Sequence, residues 1–355
     1  DLISEVVTGD HGMTLHEQAP YGVVLAIYPA TNPCATMINN VISMLAAGNS
    51  VISIPNPRCM ETSQFLTEKI NEAIEETCGI QNLVVTLPES RNDLLTEIIN
   101  HPDVALVVAT GGRKMMSHAL CSPKRVIAGG PANPVAIVDE TADLAKAAKD
   151  ISDGASFDNN IMCISEKCIV AVESIIPEFV KQLEENGVYY IDNETEMLQL
   201  TKTVLNHDMK MVRKMEGKSA MDILEEAGIH PNRPVRLVVV RTFAKHPLVL
   251  EECLMPVVPL VAVADFDEAL ETARFTEQGY RHTAMVHSQC IDRLSKAAKV
   301  MNTTIFIKNG SSLAGIGLNG EEMASFTIAN VTGEGITTAR DFACKRSCTL
   351  TRGFS

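Results

Sequence analysis

Tryptophan is missing from this chain of 355 residues, and aromatic side chains make up only 4% of it. Aliphatic side chains must therefore build the core. No large cluster of Lys and Arg offsets the net charge of −14. Phosphate backbones are bound by such clusters, so a nucleic-acid partner is excluded. Long apolar runs are also lacking. "VVLAIY" and "RLVVV" are strand-length, well short of the roughly 20 residues of a membrane span. The first residues carry no secretory pattern, so no leader is expected. Internal repeats, low-complexity linkers and coiled-coil heptads are absent as well. Cysteine is plentiful, with ten residues, but they are scattered through a long chain. The spacings Cys163–Cys168 and Cys344–Cys348 fit no compact zinc motif, and no histidine pair stands beside them. Reduced thiols are expected, with neither a metal site nor a disulfide framework.

What is present is a strand–helix alternation in a chain long enough for two domains, with 46% apolar residues. "GVVLAIY" is a continuous apolar run, as a strand buried on both faces should be. "PATNP" interrupts it. A helix follows, with Asn32 before it, Pro33 in its first turn and Gly48 at its end. "SVISI", "LVVTL", "VALVVA", "RVIAGG" and "PVAIVDE" continue the alternation. A second unit is expected from a helix over 141–153, the strand "KCIVAV", a helix over 176–186, and the strands "VYYI", "VRLVVV", "PLVAVADF" and "TIFIKN". A charged helical region is expected over 202–227. The fold class is α/β, with mostly parallel sheets and crossover helices. The outer segments, 1–20 and 338–355, lack a helical period and read as strands or extended arms.

Four places carry candidate chemistry. In "FDNNIMCISEK" polar residues precede Cys163 and a strand follows it. It is either a nucleophile in a loop or a core cysteine at a strand start, and no neighbour in the sequence supplies an obvious activating base. Asn32 in "YPATNP" sits between a strand end and a helix start. It either caps the helix or donates an amide hydrogen to an oxyanion. "ATGGRK", from Ala109 to Lys114, is either a phosphate-facing glycine turn or an ordinary strand–helix turn. Glu252 in "EECLMPVVP" is either a ribose acceptor or a solvated carboxylate.

These pieces occur together and in order in one family. With "ATGG", "GGPANP", "RHTAMVHS", "KNGSSLAGIG" and "SFTIANVTGEGITTARDF", the chain resembles the aldehyde dehydrogenases. It is most similar to the coenzyme A-acylating branch of ethanolamine- and propanediol-utilising bacteria. The resemblance runs from about Gly9 onward. It implies an aldehyde dehydrogenase-like fold with a partial Rossmann-type cofactor domain and an α/β catalytic domain. The implied domain limits are an oligomerisation arm over 1–20, the cofactor domain over 21–130, the catalytic domain over 131–337 and a second arm over 338–355. The family's N-terminal helical region is not matched, and an inactive structural homologue is one alternative that follows.

The resemblance makes Cys163 the nucleophile and Asn32 the oxyanion donor. Thr110, Gly111 and Gly112 match the loop on the pyrophosphate side of the cofactor, Pro55 falls in its adenosine region, and Glu252 matches the glutamate that holds the nicotinamide ribose. NAD is the implied cofactor, with NADP left open by Arg113-Lys114 and by the reading Ile54-Pro55-Asn56-Pro57 in place of "NPHP". Ile161-Met162 stands where the branch has Leu-Pro. Hydrolytic relatives carry a glutamate base in an "ELGGK"-like segment, and this chain has Ala128 there. Water is then poorly activated against a thioester, whereas a thiol needs less help. Coenzyme A is accordingly the implied co-substrate and a short aliphatic aldehyde the substrate. A hydrolytic dehydrogenase and a redox-independent acyltransferase remain as alternatives. The resemblance further implies a homo-oligomer (a dimer or a dimer of dimers), with the cytoplasm or a bacterial microcompartment and its shell as the setting.

Overall fold

The computed structural model describes residues 2–88 and 92–352. Asp1 and residues 353–355, the tips of the two expected arms, lie outside the described residues. The chain divides into two compact units, Asp1–Gly130 with Met323–Ser355, and Pro131–Glu322.

In the first unit the elements are β1 (Glu5–Gly9), β2 (Gly12–Pro20), β3 (Val23–Ile27), α1 (Pro33–Ala46), β4 (Ser50–Ile54), α2 (Met60–Cys78), β5 (Val84–Thr86), α3 (Asn92–Asn100), β6 (Val104–Thr110), α4 (Arg113–Leu120) and β7 (Arg125–Gly129). The second unit follows with β8 (Val135–Val138), α5 (Leu144–Ser156), β9 (Cys168–Val172), α6 (Ile176–Glu185), β10 (Val188–Ile191), α7 (Glu194–Val204) and α8 (Ala220–Glu226). It ends with β11 (Leu237–Thr242), α9 (Pro247–Leu250), β12 (Val257–Val263), α10 (Phe266–Glu277), β13 (Thr283–His287), α11 (Ile291–Met301) and β14 (Ile305–Lys308). The returning segment adds β15 (Ile328–Ala329), β16 (Gly335–Ile336) and β17 (Ala343–Thr351) to the first unit.

The first unit is built on a parallel sheet in the order β5-β4-β3-β6-β7. Its central strands are buried on both faces, which is why their sequences are unbroken apolar runs rather than alternating ones. α1 begins with Pro33 and turns Met37, Val41 and Met44 inward, the three- and four-residue spacing of one helix face. Buried Asn49 ties this unit together. Its Oδ1 accepts the Tyr21 and Gly22 N–H groups, and its Nδ2 donates to the carbonyls of Met44 and Phe342. All four bonds of the amide are thus made inside the fold, which makes a buried asparagine tolerable.

Both outer segments form strands. β1, β2 and β17 make one antiparallel sheet, with β17 pairing along the full length of β2. Every residue of β1 is exposed. The expected catalytic limit at 337 differs from the compact units, because 323–337 belongs with the first. There the Thr327 hydroxyl bonds Asn40 and Thr110, and the Thr332 hydroxyl accepts the Ala128 N–H.

The second unit holds a seven-stranded parallel sheet in the order β10-β11-β12-β9-β8-β13-β14. The charged stretch expected as one helix over 202–227 is instead the end of α7, an irregular connection and the short α8. Its charges are those of a solvated surface: Lys214 pairs with Glu226, for example, without either lying on a shared continuous helix. The expected helix over 141–153 starts later, at Leu144, because the Asp143 side chain caps it by accepting the Lys146 N–H. α6 matches its expected span to within one residue.

At the carboxyl end of β8, Asp139 is fully buried and paired with Arg293 at 3.0 Å. It also accepts the hydroxyls of Thr141 and Ser288. Burial would raise its pKa, but these bonds outweigh burial and hold it below the ordinary carboxylate value. Such a depressed value contributes stability above the unfolded pKa that is lost as pH falls through the folded one. Arg293→Ala is expected to destabilise the fold by about 3 kcal/mol at neutral pH. The difference from the parent in urea denaturation should shrink as pH drops below about 4.

Candidate functional site

The residues singled out in the sequence lie along one sheet edge in each unit. In the first unit the chain leaves β3 for β4 and β5 on one side, then returns to place β6 on the other. That reversal falls at the carboxyl ends of β3 and β6, the position where parallel sheets bind ligands. Asn32 follows β3 there, and Thr110 closes β6 with Gly111 and Gly112 after it. Pro55 follows β4 at the same edge and is buried.

Asn32 occupies the N-cap position of α1 but its side chain caps nothing. The Thr31 hydroxyl donates to Oδ1 at 3.1 Å, and that of Thr36 lies 3.3 Å from the same oxygen. With Oδ1 held in this way, the orientation of the carboxamide is set, and Nδ2 donates to no described residue. This geometry favours the donor over the cap. Gly112 is the N-cap of α4, with φ −69 and ψ 162, angles open to any residue. A Cβ at Gly111 or Gly112 would meet nothing within 4 Å. No protein atom demands glycine at either position. The open space above this backbone is what a pyrophosphate approaching N–H groups at a helix start requires, so these residues fit the dinucleotide that the resemblance implies.

In the second unit the chemistry gathers at the amino edge of the sheet, on four adjacent strands. Ala132 leads into β8, Cys163 to Lys167 into β9, Glu252 into β12 and His282 into β13. Cys163 is partly exposed. Burial pushes its thiol up to about 12, and the Glu252 charge adds to the rise. The Lys167 cation and the backbone N–H groups of Cys163 and Ile164 oppose it. The structure thus brings Cys163 and Glu252 together. Burial also raises Glu252, against the pull of Lys167 and the Ala132 N–H.

The loop that carries Cys163 is unusual. Asp158, Asn159 and Asn160 have φ of 47, 51 and 61, three consecutive left-handed residues. Only Gly, and to a lesser degree Asn and Asp, enters this region cheaply, which explains the composition "DNN". Asn160 donates to the carbonyls of Ala155 at 2.7 Å and Glu166 at 3.0 Å. Asn159 donates to that of Gly217 at 2.9 Å. Lys167 is 1% exposed, and its Nζ donates to the Asn160 carbonyl at 2.5 Å and to Asn160 Oδ1.

Glu166 is also buried and accepts the Ser312 N–H at 2.9 Å and its hydroxyl at 2.8 Å. Burial raises it to about 7, although these bonds favour its charge. Gly154 in α5 makes room for this pair, since a Cβ there would overlap the carboxylate and sit 2.6 Å from the Ser312 hydroxyl. His282 is buried and lowered to about 4 by burial, with the Lys167 charge adding to the effect, so its ring is neutral. The sequence reading missed Lys167, Glu166 and His282. The one available signal was two charged residues directly ahead of a strand with no polar position. Among the described residues, no group of His, Cys, Asp and Glu is arranged to hold a metal ion, and no helix is long and apolar enough to cross a membrane. All ten cysteines are free.

A family profile described as "Aldehyde dehydrogenase family" matches residues 3–318. The propanal dehydrogenase (CoA-propanoylating) of Salmonella typhimurium is 45% identical over 357 aligned positions, which cover 100% of this chain and 76% of that protein. An acetylating acetaldehyde dehydrogenase of Escherichia coli is 41% identical, over 99% of this chain and 77% of its own. Among solved structures, the Rhodopseudomonas palustris propionaldehyde dehydrogenase with bound propionyl-CoA superposes with a TM-score of 0.96 at 42% identity, covering 99% of this chain and 78% of that one.

The raised Glu166 pKa has a sign that can be tested. A carboxyl whose folded value lies above its ordinary 4.5 contributes stability below that value, and the contribution is lost as pH rises through about 7. Glu166→Gln keeps an acceptor for Ser312 but cannot ionise. Between about pH 4 and about pH 8 the parent should lose up to about 3 kcal/mol relative to this variant in denaturant titrations. A pH-independent difference would refute the assignment.

Proposed function

The chain belongs to the aldehyde dehydrogenase family, and from that premise we propose that it oxidises a short aliphatic aldehyde with a nicotinamide dinucleotide and coenzyme A to give the acyl-CoA. The observation that carries the reading is the Cys163 loop, held at a sheet edge beside Glu252 in a chain similar along its whole length to acylating enzymes. A related structure of the Rhodopseudomonas palustris enzyme has bound CoA and an acylated cysteine. A further relative, an engineered glycolyl-CoA reductase, was solved with NADP+.

Cys163 is the nucleophile. With a thiol raised to about 12 it rests protonated at neutral pH, so attack on the aldehyde carbon is coupled to loss of the thiol proton to solvent, which the partly exposed side chain can reach. The carbonyl oxygen becomes an oxyanion as the carbon–sulfur bond forms, and the Cys163 N–H and the Asn32 carboxamide are its donors. When bound, the dinucleotide supplies the hydride acceptor. Gly111, Gly112 and Thr110 would hold its pyrophosphate side, Pro55 would border its adenosine and Glu252 would accept from its ribose. Cys163 then carries the acyl group as a thioester. The sulfur of coenzyme A displaces it, forming acyl-CoA and returning the Cys163 thiol.

Hydrolysis needs a base for water, and Ala128 offers only a buried methyl within β7. The exposed strand β1 and the β1-β2-β17 sheet serve self-association, as unpaired strand edges otherwise invite aggregation. A relative from Clostridium phytofermentans belongs to a fucose-utilisation microcompartment. The cytoplasm, free or within such a compartment, is the setting we assign to this chain.

NADH formation from propanal and NAD+, with and without coenzyme A, tests the reading. The rate should depend on coenzyme A, rise with pH as thiolate forms, and fall by about 10³-fold or more in Cys163→Ser. Turnover of equal rate without coenzyme A would identify a hydrolytic enzyme instead.

A further inference from the structure

Lys167 is a buried cation without a carboxylate in direct contact among the described residues. Its Nζ is spent on the carbonyl and side-chain oxygens of one residue, Asn160. A buried ammonium is costly, and a methionine or leucine would fill the same space without that cost. The turn that Lys167 grips is itself unfavourable, with three left-handed residues in a row. Its exit, Ile161 to Ile164, presents the thiol. Clamping the turn and standing near the sulfur are therefore two results of one placement.

We propose that Lys167 is a positioning residue for Cys163, holding the left-handed turn that presents the thiol and supplying the positive charge that steadies its thiolate. The inference rests on the nucleophilic role given above to Cys163.

The groups facing the ammonium come from every neighbouring strand end. Glu252 and Cys253 lie ahead of β12, Cys163 and Glu166 ahead of β9, and His282 ahead of β13. Burial is the largest influence on the ammonium and lowers its pKa, and Glu252 leads the charges that favour the protonated form against it. For Cys163 the two charges act in opposite senses, Glu252 against the thiolate and Lys167 for it. Without Lys167 the sulfur would face burial and the Glu252 carboxylate with only two backbone N–H groups in its favour. His282, being neutral, does not substitute for the lost charge.

The test is the pH profile of Cys163 alkylation by iodoacetamide, followed by peptide mass so that the other nine cysteines do not contribute. Lys167→Gln keeps a donor for Asn160 but removes the charge. Its alkylation rate at pH 8 should fall about tenfold or more, and the profile should move to higher pH. Lys167→Arg keeps the charge and should hold the parent profile. A folded Lys167→Gln protein with the parent profile overturns the inference. If Lys167→Gln does not fold, Lys167→Arg decides: a profile displaced as if the cation were lost overturns it, and an unmoved profile supports it. Alkylation reads the thiol directly. A parent that alkylates normally but forms no NADH with coenzyme A would sink the proposed function, whereas an active parent with an indifferent Lys167→Gln would sink only the role of Lys167.

Discussion

Taking the Lys167 ammonium out of water costs several kcal/mol even after relaxation, and although burial lowers its pKa, the surrounding part of the second unit offsets part of that cost. Two oxygens of Asn160 receive its hydrogens, and the charges of Glu252 and Glu166 favour its protonated form. The same bonds stabilise a turn that would otherwise relax. Asn160 reaches Ala155 at the end of α5 and the Glu166 carbonyl beyond the cysteine, so the loop is closed on both sides of Cys163. Gly154 then lets α5 approach the Glu166 carboxylate. The thiol's position is thus the consequence of a chain of polar satisfaction, each link of which would be expensive if left open.

The two sheets use opposite edges. In the first unit the open glycine backbone and Asn32 lie at the carboxyl ends of the strands, where the strand order reverses. In the second unit the cysteine and its charged neighbours precede their strands. The loop entering β9 is tied down where it meets the sheet. The Lys167 and Cys168 N–H groups both reach the Pro134 carbonyl just ahead of β8. A strand start tied in this way suits a side chain that must be presented at one angle. Open backbone at strand ends suits a ligand bound through its phosphates.

Much of this architecture was legible in the sequence, and the reasons differ by element. Buried parallel strands such as β3 and β6 announce themselves as apolar runs without alternation, and α1 was bracketed by Pro33 and Gly48. The region 202–227 was misread because charge and length suggest a helix, while its irregular middle depends on tertiary contacts such as the Gly217 N–H to the Leu254 carbonyl. Cys163, Glu252, Asn32 and the glycine pair were visible only because eight segments kept family order. Taken alone, the glycine pair has an equally good ordinary reading, and Cys163, Asn32 and Glu252 each have a better one. Lys167, Glu166 and His282 were not visible, since burial of a charged residue is a property of the packed sheet edge and leaves no local pattern.

The raised Cys163 pKa is at first sight at odds with nucleophilic chemistry, since reactive thiols usually ionise early. Acyl transfer removes the contradiction. A leaving thiolate that is too stable would give a labile thioester, and in a chain with Ala128 in place of a hydrolytic base the thioester must await a second thiol. Sulfur nucleophiles gain reactivity as their pKa rises, and the ionised fraction then limits the rate. The Cys163 sulfur, repelled by Glu252 and attracted by Lys167, is thus set by two opposing charges as well as by burial. The Lys167 side chain that opposes Glu252 is also the one that holds the Asn160 turn, so the position of the thiol and its ionisation depend on the same group.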